Sequence, residues 1–209
     1  MWFESYNYVA SNYDITSYQH LVKLLPKGVF LDTAPLFILV VGHYDRLNGT
    51  NFIRHLQSKS KEKDRNYGPY DYNYLLAFLN SCGLGKRYHL FITPHIFTEF
   101  VKQLWEIVDN PEHFQKILQT CFKNKWYIKE KYLDHAKIIK EEHFLGKRLE
   151  VGDISLAIAD DEGESFRTIL TDDEKFARIA DIEYQFLVVY YNEVRNGTFD
   201  LDPKNIPPE

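Results

Sequence analysis

Short apolar runs alternate with stretches of helical periodicity along this chain. Val29 to Leu31, Tyr88 to Ile92, Thr168 to Leu170 and Phe186 to Tyr191 are brief apolar segments bounded by polar or turn-forming residues, the pattern of buried strands. A further short strand is expected at Trp126 to Ile128. Between the strands, Ile96, Phe97, Phe100, Val101, Leu104, Ile107 and Val108 form one helical stripe. Thr93 stands before it as a cap, with Pro94 at the first helical position. Pro35 predicts a helix from Ala34 to about Gly42, and Pro111 predicts another through Phe122. Helices are also expected over Thr16 to Leu25, Tyr74 to Leu79, Lys131 to Phe144, Gly152 to Ala159 and Glu174 to Ala180. Strands alternating with helices predict an α/β fold built on a mostly parallel sheet.

One segment departs from this rhythm. From about residue 48 to 73 the chain is polar and contains SKSKEKDRNYGPYDYNY, the composition of an insertion or loop. Its Lys59, Lys61, Lys63 and Arg65, followed by Tyr67, Tyr70, Tyr72 and Tyr74, interleave charge and rings as a single-strand grip would. Glu62 and Asp64 offset that charge, so a solvated loop is the simpler reading.

Composition narrows the function classes. The 209 residues, 44% of them hydrophobic, suit one domain over 1–195, with a 27-residue N-terminal extension and a loosely held tail at 196–209. A formal charge of −5 argues against simple electrostatic binding of nucleic acid. Bound dications would cancel most of that charge, so a metal-bearing nucleic-acid enzyme stays open. Cys82 and Cys121 fit no zinc pattern and are too few for a disulfide framework. No basic-then-apolar leader is visible, and the longest apolar run, Leu36 to Val41, is too short to span a bilayer. A soluble, cytoplasmic protein with no membrane partner is expected.

The acids carry the chemistry. In a parallel sheet the working crevice lies at the carboxyl ends of the strands. Asp32 closes the first strand there, and Glu99 lies early in the helix after the second. Asp153 starts a helix, and Asp172 and Asp173 follow a later strand directly. Four carboxylates meeting in one place would repel unless cations neutralised them. Mg²⁺ or Mn²⁺ prefers such oxygens, and two ions ~4 Å apart can activate a water and stabilise a phosphodiester's leaving oxygen.

FLDTAPL, TPHIFTEF, VGDISLAIA and ILTDDEKFA resemble, in order, the four acidic motifs of the PIN-domain nucleases. The likeness runs from residue 28 to about 191. It implies a PIN-like three-layer α/β/α domain with a parallel sheet of about five strands, and Mg²⁺- or Mn²⁺-dependent cleavage of RNA. By that resemblance Asp32, Glu99, Asp153 and Asp173 are the catalytic, metal-binding set, with Asp172 an alternative fourth ligand. Thr33 matches the hydroxyl residue after the first acid, and Thr171 matches the Thr of the T-x-D signature. Lys147 and Arg148, shortly before Asp153, are placed to hold substrate phosphate. The resemblance also allows a protein inhibitor or antitoxin and a homodimer. The long stretch before Val29 and the 48–73 segment depart from compact toxin-type members.

Taken singly, each acid has an ordinary explanation. Asp32, Asp153 and Asp173 suit helix caps, and Glu99 has Lys102 and His95 within reach on its helix. Two other functions compete. A strand-terminal Asp followed by Thr also opens aspartyl phosphatase sites, but those need a second Asp where this chain has Ala34. A non-catalytic PIN-like module binding RNA or protein would bind no dication.

Overall fold

β1 (Val29–Leu31) lies at the centre of the sheet, and all three of its residues are buried. The computed structural model describes residues 28–56, 66–80, 90–123, 128–141, 146, 149–159, 168–184 and 187–191. β2 (Leu90–Ile92), β3 (Lys129–Glu130), β4 (Thr168–Thr171) and β5 (Leu187–Tyr190) complete a five-stranded sheet in the order β3-β2-β1-β4-β5. Every pairing is parallel: Val29 sits opposite Leu90 on one side and Thr168 on the other. Parallel neighbours need crossover connections, and such sheets need both faces covered. Among the described residues seven helices flank the sheet: α1 (Thr33–Asn48), α2 (Pro69–Leu79), α3 (Pro94–Ile107), α4 (Pro111–Lys123), α5 (His135–Lys140), α6 (Val151–Ala157) and α7 (Glu174–Ile182). The result is the expected three-layer α/β/α arrangement.

α1 is the buried hub. Leu36 through Val41 have no exposed surface, and the helix packs against α2, α3, α4 and the end of β4. Burial on all sides overrides the weak helix preference of Ile38, Val40 and Val41. α1 also runs past Gly42, where the sequence suggested its end. Gly42 serves close packing instead: a Cβ there would lie 2.6 Å from Tyr72 Cβ on α2. The helix stops at Asn48, because Gly49 takes the left-handed conformation (φ 67°) that terminates helices.

The polar segment proves largely structural where it is described. Asp45 of α1 accepts from the Thr50 hydroxyl (2.6 Å) and the Ile53 N–H (2.8 Å), folding the 3₁₀ turn Phe52–His55 back onto α1. α2 begins at Pro69, five residues earlier than expected, with the Asp71 carboxylate accepting the Gly68 N–H. Tyr67, Tyr72 and Tyr74 are buried and Tyr70 is exposed. The stacking strip suggested by their spacing is therefore mostly core. Lys59, Lys61, Lys63 and Arg65 lie outside the described residues, as do the helix expected over Thr16 to Leu25 and the tail.

Two expectations near the sheet edge are corrected. β3 falls at Lys129–Glu130; of the strand expected at Trp126 to Ile128 only Ile128 lies among the described residues, and it precedes β3. The long helix from Lys131 shrinks to α5, because Lys131 N–H bonds to Ile92 O (2.8 Å) and continues the β2–β3 edge. Asp134 then caps α5 through Ala136 N–H (2.9 Å). No described helix is long and apolar enough to cross a membrane.

The Gly42 contact is directly testable. Tyr72 Cβ is fixed to its backbone and cannot swing aside, so Gly42→Ala should destabilise by about 1–3 kcal/mol even though alanine favours the helix. A thermal melt should show a fall of several degrees; an unchanged midpoint would mean α1 and α2 can separate at no cost.

Candidate functional site

The strand order reverses between β1 and β4, because β1 leads towards β2 on one side and meets β4 on the other. A crevice is expected at the carboxyl ends of such a pair. Asp32 follows β1 there, and its N–H bonds to Leu170 O of β4 (3.0 Å). Asp32 is 8% exposed, and its carboxylate is held by both oxygens. Oδ1 accepts from Thr33 N–H (2.6 Å), which caps α1, and Oδ2 accepts from the Thr171 hydroxyl (2.6 Å). Thr171 Oγ1 in turn accepts from Asp173 N–H (2.9 Å). One buried hydroxyl thus links the first acid to the last. These bonds offset the desolvation of the Asp32 charge. Both matched threonines touch Asp32, but Thr33 does so through its backbone; its buried hydroxyl finds no partner among the described residues.

Asp172 and Asp173 part company. Asp173, partly exposed, caps α7 by accepting from Phe176 N–H (2.9 Å) and stays at the sheet edge. Asp172 is 1% exposed and accepts the hydroxyl of buried Tyr67. Tyr67 packs against Tyr191, whose hydroxyl donates to Asp71 O (2.8 Å). Asp172 therefore belongs to a buried polar cluster that ties residues 67–71 to the ends of β4 and β5. No local pattern signals it, since the partners are distant along the chain.

A second pair of acids gathers beside β2. Thr93 Oγ1 accepts from Ile96 N–H (3.3 Å) at the start of α3 and lies 2.6 Å from Ser155 Oγ of α6. Ser155 donates to Gly152 O (2.6 Å), so Thr93 is the donor to Ser155 and α6 is fastened to the end of β2. Glu99 of α3 reaches the same helix: a Cβ on Gly152 would lie 3.1 Å from Glu99 Oε2 and 3.2 Å from Ile96 Cδ1. Its other oxygen accepts a long bond from Gln103 Nε2 (3.4 Å). Asp153, next to Gly152, accepts from Glu150 N–H (3.2 Å) in a capping box. His95 packs edge-on against His135 (ring centroids 5.2 Å apart). Burial, with His135 beside it, lowers the His95 pKa. The sequence reading passed over Ser155 and Gly152; a glycine in the first turn of a helix, next to an acid, was the available signal.

Thr171 thus joins the Asp32 carboxylate to the Asp173 backbone N–H, and Glu99 reaches the turn of α6 that carries Gly152 and Asp153. Among the described residues no group of three or more His, Cys, Asp or Glu side chains is arranged to hold a metal ion. Mg²⁺ is commonly bound by one or two carboxylates, with waters and substrate phosphates completing the shell. Carboxylate oxygens are the donor type such an ion prefers. Lys147 and Arg148 lie outside the described residues. No protein-family model, curated protein or solved structure matches the chain.

Two outcomes follow from these contacts. In Gly152→Ala the Glu99 carboxylate, the far end of a flexible chain, should yield to the new methyl. On a metal-site reading of these acids, Mn²⁺ affinity should weaken by about tenfold while the melting point holds, as for loss of a positioning contact; unchanged calorimetric affinity would detach Glu99 from any metal. Burial, reinforced by Asp71, Tyr67 and Asp172, holds the Tyr191 phenol well above its ordinary pKa of 10.0. The unfolded chain releases that proton near the ordinary value while the folded chain keeps it. Stability should therefore be full below about pH 10 and fall as pH rises further. Denaturant titrations should show that alkaline slope, reduced in Tyr191→Phe.

Proposed function

We propose that the protein is a metal-dependent endoribonuclease in which Asp32, Glu99, Asp153 and Asp173 offer carboxylate oxygens to Mg²⁺ or Mn²⁺. The observation that carries this reading is the Thr171 hydroxyl, which joins Asp32 to Asp173 across the point where the strand order reverses. The ion, when bound, supplies a more acidic water and positive charge for the phosphodiester oxygens. The chain supplies orientation. Asp32 is locked in place by Thr33 N–H and the Thr171 hydroxyl. Glu99 is set against α6 by the missing side chain at Gly152. Thr93 and Ser155 fix α6, and Asp153 with it, to the end of β2. Asp172, engaged with Tyr67, is left out of the ligand set. Lys147 and Arg148 remain candidates for substrate phosphate, on sequence position alone.

The test is cleavage of a panel of single-stranded and structured RNAs by the purified chain with Mg²⁺ or Mn²⁺. Asp32→Asn should lose at least the ~100-fold that removal of a partner behind a metal ligand can cost, and Thr171→Val about 10- to 100-fold. Both variants need melting curves beside the parent, because Asp32 also caps α1. Cutting by Asp32→Asn at the parent's rate, or by the parent in excess chelator, would end the assignment. RNA binding without cutting, indifferent to Asp32→Asn, would favour the non-catalytic module.

A further inference from the structure

Beyond the acids, the carboxyl edge of the sheet carries a basic and aromatic platform over β2 and β3. Because all strands are parallel, the segment leaving β3 emerges at the same edge as Asp32 and Thr93. Lys131 N–H is bonded to Ile92 O, immediately before Thr93, which touches Ser155 of α6. The next residue, Tyr132, is 79% exposed. It leaves the sheet at this edge, one residue past the Lys131–Ile92 bond. Lys131 Nζ lies 5.4 Å from the Phe91 ring centroid, which steadies its ammonium beside β2. The His95–His135 contact fastens the start of α5 to the start of α3, and α5 also packs on α6.

The charge here runs against that of the whole chain. Residues 129–140 read KEKYLDHAKIIK, four lysines against two acids, in a chain of formal charge −5. Trp105, another strongly exposed aromatic among the described residues, sits near the end of α3. A helix that follows a parallel strand runs back towards the opposite edge, so Trp105 is far from the crevice. Among the described residues, Tyr132 therefore combines an open ring face, cationic neighbours and a position at the crevice. Stacking of bases on aromatic rings flanked by cations is how single strands are held without sequence readout.

We infer that Tyr132 is a stacking platform for a base of single-stranded nucleic acid, with Lys131 and Lys137 on the flanking phosphates, guiding the strand across β2–β3 towards the acids. The inference rests on the nuclease reading above. It names a grip that the spacing of Tyr67, Tyr72 and Tyr74 suggested elsewhere and their burial removes.

The experiment measures kcat and KM of the full chain with Mn²⁺ on an RNA it cuts. Tyr132→Ala should raise KM about tenfold at unchanged kcat, the signature of binding lost equally from ground and transition states. Tyr132→Trp should restore the parent's KM, and Trp105→Ala should match the parent throughout. Lys137→Gln should flatten the dependence of log KM on log salt by about 0.7, one single-strand phosphate contact. If the parent cuts and Tyr132→Ala has the parent's KM, the platform is wrong while the nuclease reading stands, and this face is left for a protein partner. If the parent cuts no RNA, both fall together.

Discussion

The hydroxyl of Thr171 is the contact on which the rest of this edge depends. It is fully buried, accepts Asp173 N–H and donates to the Asp32 carboxylate. β1 and β4 are neighbours by register, but register alone leaves the side chains beyond their ends unplaced. Thr171 turns strand adjacency into side-chain geometry. Withdrawing a carboxylate from water costs several kcal/mol, and a hydrogen bond to a charged group returns about 1.5–3 kcal/mol. Asp32 receives two, and it also stands at the N-terminus of a 16-residue helix, where the dipole favours negative charge. Burial at this position is thus tolerable, though it leaves little slack.

Capping and chemistry are usually weighed as alternatives, and here they coincide. Asp32 does cap α1 and Asp173 does cap α7. A cap, however, needs only one oxygen and works at the surface. Asp32 goes further: it is nearly enclosed, and its second oxygen is held by a side chain 139 residues away. That extra restraint fixes a direction in space, which a helix cap does not require and a ligand does. Asp153 shows the contrast, being a partly exposed capping-box acid whose interest comes from Gly152 and Glu99 next to it.

What could be read from the chain was whatever depended on near neighbours. β1, the Thr93–Pro94 start of α3 and its stripe, and the Asp173 start of α7 all follow from local rules of apolar period and capping, and all are present. The errors share a cause. α1 passed Gly42 because Tyr72, thirty residues on, needed the space. Tyr67, Tyr72 and Tyr74 looked like a polar surface strip because tyrosine carries a hydroxyl. Inside the fold those hydroxyls find partners such as Asp172 for Tyr67 and His43 for Tyr72, and the rings go to the core. The helix expected from Lys131 gave way to sheet pairing at Ile92. At the site, the acids were visible as strand-end and helix-start residues. The hydroxyls that hold them were not, because Thr171–Asp32 and Thr93–Ser155 exist only once the strands are side by side.

The division of the acids into two pairs has its own logic on the nuclease reading. Four carboxylates fully converged in a metal-free fold would raise one another's pKa values and oppose folding. Two pairs, each around a different strand end, keep that repulsion small before any ion arrives. Each pair is braced by a buried hydroxyl relay of the same form, a helix or turn N–H into a threonine and the threonine onward: Asp173 to Thr171 to Asp32, and Ile96 to Thr93 to Ser155. Rigid braces leave the closure of such a site to the cation, whose positive charge attracts the carboxylates and the anionic substrate phosphate alike. On that reading metal affinity and RNA affinity should reinforce each other.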